Sequence, residues 1–495
     1  MGKKVLFLTK SERNQRYGIL SLAAFLKEKG HMLDYVFINR EDELPLILDK
    51  IKSFQPTYLG ISAMSGEVMF YLSILKKIKE IYPDQYVIMG GPHPTYDKSI
   101  IENPLIDATC AGEGEEAFAE FLEKHPDGDF LSVKNFSFKT ADEKVINNPL
   151  RPLIDINTLP IPDYDFFPRQ SGDRIAIFAS RNCVYRCTYC FNRDYAKNYK
   201  EVGVKQIYSV MEVDKFLKML KHIKNKYEGK FKYFYFNDDV FPIKKYWLKE
   251  FTDRYPKEIG MPFHVGLNPV MIREPIIELL RKAGCTSLNF AIESGSERIR
   301  NKIMFRPSVT NEEMIELSKI IRKHNIYIYT QNIMMFPTET LEEAKQTVEL
   351  NIACKANSAS TAKFQPYPGT VMAKFAVEKG LVKEGNILEM LPENYHHVSI
   401  LKFDKKDEIG MSNLVKLFSF TIKFPIMKNL VYFLVRYKSL KKLFGRIDDQ
   451  FWMTYTHRPS DTIVNNNLWM EFKLLMLFIK RLIIPLSKEK FIHYG

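Results

Sequence analysis

Hydrophobic and polar positions in the first 130 residues follow two alternating periods. Residues 5–9 form a short apolar run of the kind a buried strand makes. Residues 18–29 carry apolar side chains at three- and four-residue spacing until Gly30 stops the pattern. Residues 32–38 predict a second strand and 44–54 a helix; 58–62 and 86–89 are further β-rich runs, separated by a helical 68–81. Strand–helix alternation with short links predicts a parallel sheet covered on both faces, here a doubly wound, Rossmann-like α/β domain over 1–130. Ligands bind at the carboxyl ends of such strands. Gly90-Gly91-Pro92-His93-Pro94 and Gly112-Glu113-Gly114-Glu115 fall at two of them, although tight turns use glycine equally.

Residues 131–170 read as a linker, with a polar hairpin-like stretch and the proline-rich Leu159-Pro160-Ile161-Pro162. Alternation resumes over 171–385, with strands expected near 175–180, 231–236, 262–265, 287–292, 327–334 and 359–364. Helices are expected between them at 211–226, 245–254, 274–283, 312–323 and 341–353. Six βα units predict a partial (β/α)6 barrel of TIM type, with its chemistry at the strands' carboxyl ends. From 386 to 495 the pattern turns helical, aromatic and basic. Asn429 is placed to cap a helix over 430–444 that Gly445 ends, with Pro425 and Pro485 as breaks.

Composition changes this picture in two places. The formal charge is +13, which invites a nucleic-acid or anionic-membrane reading, but residues 401–495 hold 17 Lys and Arg against 8 Asp and Glu. Nine of the thirteen excess charges therefore belong to the tail. The 36 Phe and 26 Tyr exclude a disordered chain, and six cysteines in 495 residues exclude a disulfide scaffold. Neither a signal-peptide core nor an apolar run of spanning length is present. The nearest approach, 468–484, is broken by Glu471, Lys473, Lys480 and Arg481. A reducing, cytoplasmic setting is expected, with contact at a membrane surface left open.

The chemistry concentrates after the first barrel strand, in Cys183-Val184-Tyr185-Arg186-Cys187-Thr188-Tyr189-Cys190. Half of the chain's cysteines lie in eight positions, spaced C-x3-C-x2-C. Three thiolates on one loop can hold three irons of a four-iron cluster and leave the fourth open. Zinc competes, but a closed zinc site wants four Cys or His ligands, and Cys110, Cys285 and Cys354 are isolated.

This spacing, with an aromatic residue before the last cysteine, resembles the radical S-adenosylmethionine superfamily. The resemblance implies a [4Fe-4S] cluster on Cys183, Cys187 and Cys190, whose open iron chelates S-adenosylmethionine. Reductive cleavage then gives a 5′-deoxyadenosyl radical, with electrons from a donor such as flavodoxin or ferredoxin. It further implies S-adenosylmethionine contacts from Tyr189, Asp238 (with Asp239 beside it), Glu293, Ser294 and Arg306, several of them after successive strands. The N-terminal domain resembles the cobalamin-binding domain of one subclass, through Tyr17-Gly18-Ile19-Leu20 and the 60–62 strand end. The two glycine segments complete the match, implying cobalamin contacts at Ser62, Gly90, Gly91, His93, Glu113 and Gly114. The D-x-H-x-x-G motif that supplies a histidine to cobalt is absent: Lys10-Ser11-Glu12-Arg13-Asn14 stands there, and His31 and His93 do not complete it. Cobalamin bound without a protein histidine is the expectation.

Together these features imply methylation of an unactivated carbon or of phosphorus, with methylcobalamin as methyl donor, and no residue is singled out as a catalytic acid or base. A radical coupling, cyclisation or oxidation of an apolar or lipid-like substrate without methyl transfer is the alternative, and a non-catalytic cofactor-binding regulator a third reading. A small-molecule, lipid or natural-product substrate is expected; a nucleic-acid partner is disfavoured, because the N-terminal domain holds only Cys110. The basic segments 430–446 (Arg436, Lys438, Lys441, Lys442, Arg446) and 468–484 (Trp469, Phe472, Phe478) read as a helical domain packed on the barrel. An interfacial lipid-binding helix or a substrate cap is the rival.

Overall fold

The computed structural model describes residues 2–10, 16–140, 142–167, 172–306, 309–392, 398–451 and 475–481. Residues 11–14 at the end of the first strand lie outside these, as do Trp469, Phe472, Lys473 and Pro485.

Five parallel strands open the chain: β1 (Lys4–Thr9), β2 (Met32–Phe37), β3 (Tyr58–Ser62), β4 (Tyr86–Gly90) and β5 (Ala108–Cys110). Helices α1 (Tyr17–Glu28), α2 (Leu44–Phe54), α3 (Val68–Ile81) and α4 (Glu115–Lys124) cross over between or after them. Their alternation explains the two-sided burial: Val5 and Phe7 enter one core and Leu6 and Leu8 the other. The sheet order is β2-β1-β3-β4-β5, followed by two antiparallel strands, β6 (Phe136–Lys139) and β7 (Val145–Asn147). These last two lie within the stretch expected to be a linker, because Phe136 and Phe138 complete the apolar face against Phe118 and Phe121. The order reverses between β1 and β3, and such a switch point opens a crevice at the carboxyl ends.

The second sheet has six parallel strands in sequential order: β8 (Arg174–Ile177), β9 (Tyr233–Phe236), β10 (Phe263–Leu267), β11 (Cys285–Glu293), β12 (Tyr327–Met334) and β13 (Ser358–Lys363). Helix α5 (Phe191–Glu201) follows the cysteine loop. Helices α6 (Val213–Lys226), α7 (Lys245–Glu258), α8 (Glu274–Ala283), α9 (Asn311–Lys323) and α10 (Leu341–Ala353) cover the outer face. Thr310 and Thr340 start α9 and α10 with reciprocal caps to Glu313 and Glu343. Alternate residues such as Phe234, Phe236, Val265, Leu288 and Phe290 point outward into the helical core. Their neighbours Arg174, Tyr235, His264, Asn289 and Gln331 therefore face the lumen of a partial barrel.

After a short helix α11 (Val371–Glu378), the chain folds into α12 (Lys405–Lys423), α13 (Lys428–Leu434) and α14 (Lys441–Phe451). Helix α12 lies along β13, with Ser419 donating to the Ala359 carbonyl at 2.7 Å. One expectation fails here. No single helix runs over 430–444: α13 ends at Leu434, and Gly445 lies inside α14. The cause is Asn413, buried on α12, whose amide donates to the carbonyls of Val435 (2.8 Å) and Tyr437 (3.3 Å) and so stabilises the break. Asn429 is not the cap, for α13 already begins at Lys428, before it. Replacing Asn413 with Leu should lower stability by about 1–3 kcal/mol, the cost of two stranded buried carbonyls. Denaturant unfolding followed by circular dichroism measures it, and an unchanged midpoint would contradict this account of the break.

Candidate active site where the two sheets meet

Strand β8 delivers the chain to a two-residue ribbon, Ser180–Arg181 against Ser209–Val210, and Asn182 at φ 64° turns it toward Cys183. Thr188, in the middle of the cysteine loop, is held from two sides. Its amide donates to the Met304 carbonyl (2.9 Å), its hydroxyl donates to Ile303 O (2.7 Å), and its own carbonyl accepts from Met372 N–H (3.0 Å). All three cysteines are free thiols. Burial pushes Cys183 up to about 11 and Cys190 to about 12, and raises Cys187 as well. Cys183 Sγ accepts from Tyr185 N–H at 3.4 Å and Cys190 Sγ from Asn192 Nδ2 at 3.8 Å, bonds that suit a thiolate ligand. Among the described residues no three His, Cys, Asp or Glu side chains converge on a single-ion position. A zinc site needs such convergence, whereas a cubane binds each thiolate to its own iron.

Next to the loop, Tyr189, Glu293 and Arg306 form one buried group. Arg306 donates to the Tyr189 hydroxyl (3.2 Å) and the Ala291 carbonyl (3.1 Å), and lies 3.5 Å from Glu293. Burial raises the Glu293 carboxyl and Arg306 only partly offsets this. For Arg306 itself burial opposes the charge, but Tyr189 and Glu293 hold the guanidinium protonated. Glu293 ends β11 at a register shift with φ 67°, a strained conformation for a residue with a side chain. Gly295 follows because α10 passes so close: a Cβ there would sit 2.1 Å from the Gln346 carbonyl. Tyr189 also meets Phe336 edge-on at 5.7 Å, and Phe336 stacks on Phe364.

Two further expected contacts, Asp238 and Ser294, also make bonds within the protein. Asp238 is buried, and its Oδ1 accepts from Ala179 N–H (2.9 Å), Ser180 N–H (2.6 Å) and the Ser180 hydroxyl (2.6 Å). It braces the entry to the cysteine loop, while its other oxygen is buried without a partner among the described residues. Its neighbour Asp239 accepts from Asn192 (3.0 Å) and lies beside Cys183 and Cys190. Ser294 is fully buried, and its hydroxyl accepts from Ser296 N–H within the same turn.

At the end of the first sheet, Ser62 pairs with Gly90, and Gly91 lies so near that a Cβ would meet Ser62 Oγ at 2.8 Å. His93 is fully buried in the short helix Pro92–Tyr96, with Nδ1 3.1 Å from Ser65 Oγ; burial lowers its pKa and keeps it neutral. Its Nε2 has no partner among the described residues. Gly114 precedes α4. Of the Glu113 carboxylate, one oxygen accepts from Ile154 N–H (2.7 Å) and the other from Arg181 (3.1 Å). The same guanidinium donates to Glu115 (2.6 Å) and to Ser21 Oγ (3.1 Å). Arg181 thus joins the first domain to the cysteine loop two residues before Cys183. Motif reading passed over it, although an arginine beside the motif, with two acids closing a distant glycine turn, was the available signal. Tyr195 and Tyr199 of α5 add apolar contact with Ala111 and Leu150.

The barrel lumen between these features is polar and partly open. The Arg174 guanidinium sits 4.7 Å above the Tyr235 ring, which stacks on His264 at 4.4 Å. Burial holds His264 neutral, down to about 3, and its Nε2 and Asn289 Oδ1 are without partners among the described residues.

Comparison with known families places two domains on this frame. The profile of the Radical SAM superfamily matches residues 177–350 and that of the B12 binding domain residues 4–122. The chain is a radical SAM enzyme with a B12-binding domain. Its relatives include the uncharacterized methyltransferase PH0819 of Pyrococcus horikoshii, 29% identical over 376 residues that cover 74% of this chain and 79% of that one. Another is the anaerobic magnesium-protoporphyrin IX monomethyl ester cyclase of Rubrivivax gelatinosus, 24% identical over 70% of this chain and 63% of the cyclase. Among solved structures, the radical S-adenosylmethionine methyltransferase TsrM of Kitasatospora setae, with cobalamin and [4Fe-4S] cluster bound, shares the fold. Its TM-score is 0.63 at 15% identity, over 88% of this chain and 99% of that one.

Arg181→Met would leave Glu113 and Glu115 buried without their cation and should cost about 3 kcal/mol or more. Unfolding midpoints read the loss. The double variant Arg181→Met, Glu115→Gln should recover part of it, and two independent, additive losses would contradict the shared contact.

Proposed function

We propose that this chain is a cobalamin-dependent radical S-adenosylmethionine methyltransferase acting on a small molecule. The supporting observation is the meeting of the three-cysteine loop and the end of the first sheet in one place. Cys183, Cys187 and Cys190 would hold the [4Fe-4S] cluster, their sulfurs receiving N–H bonds from Tyr185 and Asn192. Glu293 and Arg306 present opposite charges 3.5 Å apart, suited to the ammonium and carboxylate of S-adenosylmethionine, with Tyr189 flanking them. Asp238, with one oxygen still unpartnered among the described residues, and Ser294 would shape the loops around that site.

Ser62, Gly90 and Gly91 would let the corrin approach the sheet closely. The orphaned Nε2 of the neutral His93 would share a hydrogen bond with cobalamin, since leaving it unpaired costs about 1–3 kcal/mol. When bound, the cluster and S-adenosylmethionine supply a substrate radical and cobalamin the methyl group. The protein's own work is positioning and exclusion of water. Arg174, Tyr235, His264 and Asn289 would orient a polar substrate in the lumen. The likeness to the cyclase supports the alternative, radical oxidation or ring closure without methyl transfer.

The two readings separate by label. Reduced, reconstituted protein is incubated with cell extract and methyl-labelled S-adenosylmethionine. The methyltransferase reading predicts 5′-deoxyadenosine together with label in the small-molecule fraction, both lost in Cys190→Ala. Formation of 5′-deoxyadenosine with no labelled product would overturn methyl transfer and leave the cyclase-like reading.

A further inference from the structure

The C-terminal helical region presents a face that no reaction step uses. From residue 409 to 447 the sequence carries eight Lys and Arg and no Asp or Glu. Within that stretch the inner side of α13 is buried: Val431 and Val435 enter the core with α12, and Tyr432 reaches Glu349 of α10 at 3.1 Å. The outer side is apolar and open. Ile426 is 93% exposed, Leu430 49%, Phe433 57% and Tyr437 46%. Spaced four, three and four residues apart, they form one apolar stripe along the segment, with the Phe433 and Tyr437 rings meeting edge-on at 5.4 Å. Leu443 of α14 is exposed as well. Residues 475–481 form a further helical turn whose Phe478 packs on Phe420, Phe424 and Phe451, while Met476 and Ile479 are exposed.

The same stretch of chain carries Arg436, Lys438, Lys441 and Lys442, all exposed and without an ion-pair partner among the described residues. Large apolar side chains in a row would be a liability in water, and unpaired cations in the same stretch would repel a second copy of the same face. An anionic lipid surface satisfies both: acyl chains take the stripe and headgroups take the cations. No described helix is long and apolar enough to cross a membrane, so contact is from one side.

We propose that this face docks the enzyme on an anionic membrane surface, with Ile426, Leu430, Phe433 and Tyr437 entering the headgroup–acyl boundary and Arg436, Lys438, Lys441 and Lys442 contacting lipid phosphates. The proposal is independent of which reaction the cofactors perform, and it prefers the interfacial reading of the tail to one in which its basic face is merely solvated.

Full-length protein is co-sedimented with vesicles of phosphatidylcholine alone and of phosphatidylcholine containing about a third phosphatidylglycerol. Binding to the anionic vesicles is expected, weakened by salt. It should fall by about tenfold or more in Ile426→Ser, Phe433→Ser. Lys438→Glu, Lys441→Glu, Lys442→Glu should lose the preference for anionic lipid. All these positions are exposed, so circular dichroism should match the wild type. Absence of wild-type binding, or equal binding by the serine variant, overturns the proposal. A dimer in light scattering that the serine variant disperses also overturns it, giving the face to a second copy.

Discussion

Arg181 brings one positive charge to a place where Glu113 and Glu115 bring two negative ones, and the spatial relation of the two sheets depends on that contact. Either acid alone would be poorly placed in a buried interface. Their separation from water is tolerable because a single planar guanidinium serves both, and Ser21 as well. The residue carrying it lies two positions before Cys183, so the first domain is fastened to the loop that presents the thiols. Burial opposes Arg181's charge, yet the two carboxylates hold it firmly protonated.

The same economy of positions appears on the barrel side. Thr188 ties the loop to the segment after β11 and to α11, while Asp238 gathers the two amides and the hydroxyl at the entry to the loop. Glu293 takes a left-handed backbone at a strand irregularity, and Gly295 allows α10 to approach. These constraints come from different strands and converge on one small volume, the usual geometry of a site built at the carboxyl ends of parallel strands.

Much of this was legible in residues alone. Strong periodicity located α2, α3, α8, α10 and β12 at their observed limits, since long amphipathic stretches carry their own boundaries. The cysteine spacing pointed to the family that the comparison found, because three soft ligands in eight positions have few other uses. What escaped was decided by tertiary contact. The break after α13 depends on Asn413, distant in sequence, and β6 and β7 join the first sheet because Phe136 and Phe138 fill its core. The ion pair of Glu113 with Arg181, 68 residues away, was not visible either. Local pattern cannot carry such pairings.

The account stands on one site that serves two cofactors, with the cysteine loop holding the iron and the first sheet holding the corrin. Metal and corrin content after anaerobic reconstitution tests this most directly, in the wild type and in the triple variant Cys183→Ala, Cys187→Ala, Cys190→Ala. The account predicts about four irons and one corrin per wild-type chain, and a triple variant that loses the iron but keeps the corrin. Iron bound without corrin in the wild type, or iron retained by the triple variant, would contradict it.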